Sequence, residues 1–352
     1  MKKLFIALSA ILVWTTIPAV SANAVSVGQS CAKTALGTRV STRVNGKRVI
    51  VVCRIKAGRK QWIRAAVQTI TTTTTSTSTT STAVPVPLIN YTESVNEFKP
   101  NLRYITVEGM EQRSYFLHIP TLYQQGQPVP LLLAFHSRTT NGAVILEDSQ
   151  FVAWAAAMNF IVVSINGSSF ANITSWNAGD CCFPATDANE NDVLLTSAII
   201  EALRSNYSID SSRIWAVGHS NGGMMAYRLA CDLSDKITAI AVVAGSLVDT
   251  SCTPPKQVSL LHIHGDLDPT VPVQGGGKFG TPNIYYSVLD YAKANSCGDA
   301  ASTNFTAEEQ QFMWNCPSGT QVQLVNYVNQ SHTWIDGFSK DILRFLFAHP
   351  RK

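Results

Sequence analysis

The chain has 352 residues, 45% hydrophobic and 14% charged, with a formal net charge of +4. That length accommodates one large domain with a smaller companion, and the composition excludes an intrinsically disordered chain. The charge is unevenly spread. Residues 25–68 hold ten Lys and Arg and no Asp or Glu, whereas the 23 acids all follow residue 68, so a strongly basic segment precedes an acidic one.

Residues 1–24 read as a secretory signal: Lys2 and Lys3, an apolar run from Leu4 to Val20, and small residues at Ala22-Asn23-Ala24. A membrane anchor is the competing reading, and the Ala-Asn-Ala site favours cleavage. The expectation is a secreted protein, extracellular or associated with the cell wall, with no membrane span after signal removal. Gly28-Gln29-Ser30 ahead of Cys31 is not a lipobox. The eight cysteines are even in number, which in an exported chain favours disulfides; without a C-x-x-C pair they do not resemble a metal site.

Residues 25–68 read as a small basic β module, with a strand-like Arg48–Cys53 behind an Asn45-Gly46 turn. So short a segment needs a staple, and Cys31 with Cys53 would supply it. Its charge suits an anionic cell-surface polymer; a solvated basic spacer is the alternative. No nucleic-acid fold signature is present. Residues 69–89 form a Thr/Ser/Pro-rich linker.

Residues 90–352 carry an alternating strand and helix pattern. Arg113–Ile119 alternates like a half-buried strand, and Val129–Phe135 and Phe160–Ile165 are apolar runs of the buried parallel kind. Asp192–Arg204 has helical spacing, and Arg213–Val217, Ile237–Val243, Val258–Ile263 and Gln321–Tyr327 are further strands. The expected fold class is α/β, a mainly parallel sheet with helices on both faces.

Gly218-His219-Ser220-Asn221-Gly222 fits G-x-S-x-G between the strand ending at Val217 and a helix over about Gly223–Leu233. A sharp strand-to-helix turn would aim Ser220 Oγ out of the sheet, beside a helix N-terminus that favours negative charge. A glycine-rich turn with a capping serine is the plain alternative. A serine nucleophile needs a base, and the base needs a carboxylate. Among the downstream histidines, His332 lies in a loop after a strand, whereas His262 and His264 belong to the Val258–His264 strand and its end. Asp266 and Asp268 both follow that strand, and spacing does not separate them. The loop after Phe135 suits an oxyanion hole made by the amides of Ser137 and Asn221, with His136 structural.

Together Leu131–Ser137, Trp176–Cys182, Asp192-Val193, Gly218–Tyr227, His264-Gly265 with Asp268 and Val271-Pro272, and Ser331–Trp334 resemble the secreted esterases grouped with polyhydroxybutyrate depolymerases and feruloyl or acetylxylan esterases. The resemblance covers about residues 100–350. It implies the α/β-hydrolase fold, a Ser220–Asp268–His332 triad acting on a monomeric or polymeric ester without cofactor or metal, and Trp176 and Trp334 in the substrate site. It also implies that the Cys181-Cys182 loop borders the acyl site, and it fits a Cys297–Cys316 bond. Two positions depart from the family pattern: Ser137 where a glycine is usual, and Ile335 where a proline follows His-Thr-Trp. The rival readings are the polysaccharide-ester or polyester choice, a catalytically silent binding protein, and a peptidase.

Overall fold

Apolar runs bounded by turn residues become the buried strands of this chain, and polar alternating runs become its sheet edges. The computed structural model describes residues 39–44, 47–56, 59–64, 89–96, 99–249 and 251–352. The signal segment, Cys31 with its expected bond to Cys53, and linker residues 69–88 lie outside the described residues. The chain divides into two compact units, Met1–Ala66 and Val67–Lys352. In the first, β1 (Arg39–Val44), β2 (Lys47–Lys56) and β3 (Arg59–Arg64) pair antiparallel in the order β1-β2-β3.

The second unit holds β4 (Tyr91–Asn96), β5 (Lys99–Val107), β6 (Arg113–His118), β7 (Val129–Phe135) and β8 (Ile161–Ile165). A short hairpin follows, β9 (Ser168–Phe170) with β10 (Ile173–Ser175). Then come β11 (Ile209–His219), β12 (Ala239–Val243), β13 (Ser259–Gly265), β14 (Ala300–Phe305), β15 (Glu309–Asn315) and β16 (Gln321–Tyr327). All but the hairpin join one eleven-stranded sheet, ordered β14-β15-β16-β13-β12-β11-β7-β8-β6-β5-β4. The six strands from β16 to β8 are mutually parallel. The wings beside this parallel centre are antiparallel. The reason is connection length: short connections join β5 to β6, β14 to β15 and β15 to β16, whereas parallel neighbours need longer crossovers.

Helices α1 (Gly142–Ser149), α2 (Phe151–Met158), α3 (Asp192–Asn206), α4 (Asn221–Asp232), α5 (Ile284–Ala294) and α6 (Phe338–Ala348) cover the sheet. The two-residue period of the strands decides which helix packs where. Leu131, Leu133 and Phe135 of β7, with Ile214 and Ala216 of β11, face α3, α4 and α5. Leu132 and Ala134, with Trp215 and Val217, face α1, α2 and α6. Asn141, Asn191 and Asn283 cap α1, α3 and α5 through their side-chain oxygens. Disulfides join Cys181 to Cys182, Cys231 to Cys252 and Cys297 to Cys316. The last is the pairing that the family resemblance fits. No helix among the described residues is long and apolar enough to cross a membrane.

Leu133 is fully buried in the middle of the sheet. Leu133→Ala should lower stability by about 2–5 kcal/mol, whereas Leu122→Ala, at the surface, should stay within about 0.5 kcal/mol of wild type. Denaturant unfolding followed by tryptophan fluorescence checks both.

Candidate active site

In a parallel sheet every strand ends on the same edge, and functional groups gather there. β7, β11, β13 and β16 end at Phe135, His219, Gly265 and Tyr327. The segments that follow them carry Ser137, Ser220, Asp268 and His332.

Ser220 links β11 directly to α4 and takes φ 56°, ψ −122°, a region that non-glycine residues avoid. Its amide donates to the Val243 carbonyl at 2.8 Å, which fixes the turn to the next strand. Glycine is required on both sides. A Cβ on Gly218 would lie 2.0 Å from the Gly222 carbonyl oxygen, and one on Gly222 would lie 2.1 Å from the Phe135 oxygen. The second contact seats the first turn of α4 against the end of β7.

His332 Nε2 lies 2.9 Å from Ser220 Oγ, and His332 Nδ1 lies 2.6 Å from Asp268 Oδ2. Asp268 Oδ1 accepts the amides of Thr270 and Val271, each at 2.8 Å. Burial raises the Asp268 carboxyl, but hydrogen bonds from His264, His332 and the Val271 amide outweigh it and hold the group well below the usual carboxylate range. It is therefore an anion at neutral pH. Asp266, the other aspartate the spacing allows, is exposed, and its amide donates to the Tyr327 carbonyl.

Asn221 is the first residue of α4, so its N–H belongs to the amides that have no intrahelical acceptor. Its side chain clamps Trp176: Oδ1 accepts the Trp176 amide at 2.8 Å and Nδ2 donates to the Trp176 carbonyl at 3.2 Å. Ser137 keeps its hydroxyl within its own turn, 3.2 Å from Thr140 Oγ1, and its carbonyl accepts the Thr140 hydroxyl. His136 Nε2 accepts the Gly167 amide at 2.9 Å, so its proton is on Nδ1, donated to the Ser137 carbonyl at 2.8 Å. His136 is thus a neutral structural histidine. Burial, more than the nearby Arg113 charge, lowers it from the ordinary 6.5 to about 4.

Trp176 corrects an expectation drawn from the resemblance. It is fully buried, with its indole N–H on the His136 carbonyl at 2.9 Å and its ring 5.1 Å from Phe135. It backs the loop after β7 from behind and presents no open surface. Trp334 is partly exposed, but its indole N–H is committed to Ser339 Oγ and its ring packs on Phe151 and His219. His219 lies 5.3 Å ring to ring from His332. Burial, then the His332 charge, lowers it to about 3, so it is neutral beside His332.

Sequence reasoning missed two supports of the site. Arg113 pairs with Asp192, both buried, at 3.0 Å, and Asp192 Oδ2 takes the Asn177 amide at 2.8 Å, anchoring the Trp176 segment. His262 and His264 extend a polar chain behind Asp268. The signal in the sequence was the His-x-His spacing, which places two histidines on one face of a strand.

The low value of His136 makes stability depend on pH. Above about 6.5 the imidazole is neutral folded or unfolded, and its contribution is complete. As pH falls from 6.5 towards 4 the unfolded chain takes up a proton that the folded chain refuses, so stability is lost over that window. Denaturation at a series of pH values should give a steeper loss for wild type than for His136→Asn; equal slopes would remove His136 from the account.

Residues 186–289 match the Phospholipase/Carboxylesterase family. The chain is 28% identical over 240 residues to feruloyl esterase B of Piromyces equi, a match covering 64% of this chain and 43% of that protein. It is 30% identical over 175 residues to a probable feruloyl esterase C of Aspergillus flavus, covering 48% of this chain and 60% of that one. The matches thus span less than two thirds of the length of these two relatives. Among solved structures, an acetyl xylan esterase from Aspergillus awamori superposes with a TM-score of 0.53 at 15% identity, over 67% of this chain and 94% of that one. The sheet order, the strand-to-helix turn at Ser220 and the superposition give the chain the α/β-hydrolase fold, and its sequence is similar to those of esterases.

Proposed function

We propose that this chain is an exported serine esterase that hydrolyses carboxylic esters through an acyl-enzyme. The observation that carries the reading is the hydrogen-bonded order Ser220 Oγ, His332 Nε2, His332 Nδ1, Asp268 Oδ2 at the strand ends of a parallel sheet. His332 takes the Ser220 proton as Oγ attacks the carbonyl carbon. The amides of Asn221 and Ser137 hold the oxyanion. The carbon–oxygen bond breaks, and His332 returns the proton to the departing alcohol. Water then repeats the sequence on the acyl-enzyme and releases the acid. These steps use protein groups alone.

For the substrate, the curated relatives named feruloyl esterases support an aryl ester carried on plant polysaccharide. An exposed aromatic surface supports the same class. Phe170 and Phe183 lie 6.4 Å apart, edge to face, and Arg138, next to Ser137, donates to the Phe183 carbonyl at 2.9 Å. A short-chain polyester, in the manner of the depolymerases that the motifs resemble, is the second reading. The basic segment 25–68 would hold the enzyme to an anionic cell-surface polymer.

Ser220→Ala should abolish hydrolysis of p-nitrophenyl acetate and butyrate, a loss of several orders of magnitude. Retained activity would remove Ser220 from the mechanism. Methyl ferulate and a hydroxybutyrate oligomer assayed side by side separate the two substrate classes. Phe183→Ala should raise KM for methyl ferulate while leaving p-nitrophenyl acetate nearly unaffected; equal effects on both would dismiss the aromatic surface.

A further inference from the structure

Behind Asp268 runs a buried line of polar side chains. The Tyr227 hydroxyl lies 2.7 Å from His262 Nδ1, and His262 Nε2 lies 3.0 Å from His264 Nδ1. His264 Nε2 lies 2.8 Å from the Val271 carbonyl oxygen and 3.3 Å from Asp268 Oδ2, the oxygen that also receives His332 Nδ1. Tyr227, His262 and His264 are all at most 1% exposed. Three hydrogen-bonding side chains in so dry a place need a partner at every step, and each has one.

The direction of the line follows from its two ends. Burial holds the Tyr227 phenol well above its ordinary value, so it keeps its proton and donates to His262 Nδ1. Burial likewise keeps His262 neutral, so its single ring proton is on Nε2 and is donated to His264 Nδ1. At the far end His264 Nε2 faces two oxygens that can only accept, a carbonyl and a carboxylate, and therefore carries hydrogen. Every donor points towards Asp268.

We infer that His264 is a positioning residue for the triad: its Nε2–H, oriented by Tyr227 and His262, clasps the Asp268–Val271 turn and shares the Asp268 oxygen that holds His332. The inference rests on the esterase reading only for its kinetic consequence. Val271 closes the clasp, since its carbonyl takes the His264 hydrogen while its amide donates to Asp268 Oδ1. The carboxylate is thereby gripped on both oxygens, and its charge is divided between two imidazoles. Without the His264 hydrogen, Oδ2 would present its undivided charge to His332 and hold a proton on that ring more strongly. The acid limb of kcat/KM would then move to higher pH. The titratable groups facing His332 are Asp268 from the turn after β13 and His219 from the end of β11.

The test uses the full chain with His264→Leu, His264→Gln and Tyr227→Phe. In His264→Leu, kcat should fall about tenfold with KM within about twofold, the loss expected for one charge-assisted hydrogen bond. The acid limb should move to higher pH. The far-downfield proton resonance of His332 Nδ1–H should change position, a readout that needs no turnover. His264→Gln can accept from His262 and donate towards Asp268, so it should restore most of the wild-type limb and resonance. Tyr227→Phe should give a smaller shift in the same direction, because an undirected His262 makes His264 a weaker donor. An unmoved limb and resonance in folded His264→Leu, whatever its rate, would overturn the inference. A wild-type chain that hydrolyses no ester would overturn the esterase reading instead, and the resonance would still decide the role of His264.

Discussion

Ser220 sits at φ 56°, ψ −122°, between one glycine with no room for a Cβ and, two residues on, another. This turn is the constraint on which the rest of the site depends. A regular strand would have hidden the hydroxyl in the sheet, and a gradual loop would have carried α4 away from it. The forced turn leaves the hydroxyl at the sheet edge and brings the first amides of α4 beside it. Gly222 then lies against the Phe135 carbonyl, so the same contact that admits the turn places the loop after β7 next to Ser220. Strain of this kind persists only where the surroundings hold it. Here the holding groups are the Val243 carbonyl on the Ser220 amide and the two-point clamp of Asn221 on Trp176.

The carboxylate side of the site obeys a different rule. A buried anion is costly unless its lone pairs are used. Asp268 meets that condition with two backbone amides, His332 and His264, and the ionised state that results keeps His332 in one tautomer. Burial therefore works in opposite senses at the two kinds of group: it keeps His136, His219 and His262 neutral, while dense hydrogen bonding overrides it at Asp268. Those three imidazoles stay uncharged, whereas Asp268 is an anion.

The central strands and the serine turn were legible in the sequence because their signals are local. Val129–Phe135 needs no partner to read as a buried strand, and G-x-S-x-G carries its own steric logic. The sheet edges were not legible. β14 and β15 were not assigned, because Thr, Asn, Gln and Glu, which have weak or mixed strand preference, make up much of both. Helices α1 and α2 were hidden by the break at Gln150, which takes the left-handed conformation between them. The choice between Asp266 and Asp268 lay beyond spacing for a geometric reason: only the second bends back to accept the amides of Thr270 and Val271. Trp176 misled because a large aromatic beside a catalytic segment serves equally well as wall or as foundation, and only its burial tells which.

Asp268 and His332 are 64 residues apart in the chain, and His332 and Ser220 are 112 apart. Each reaches the others only because β11, β12, β13 and β16 lie side by side in register. No contiguous fragment shorter than that span contains all three residues, and they meet only once these four strands have paired. On the esterase reading proposed above, turnover recovered during refolding would time the pairing of these four strands, not the appearance of helix or of collapsed core.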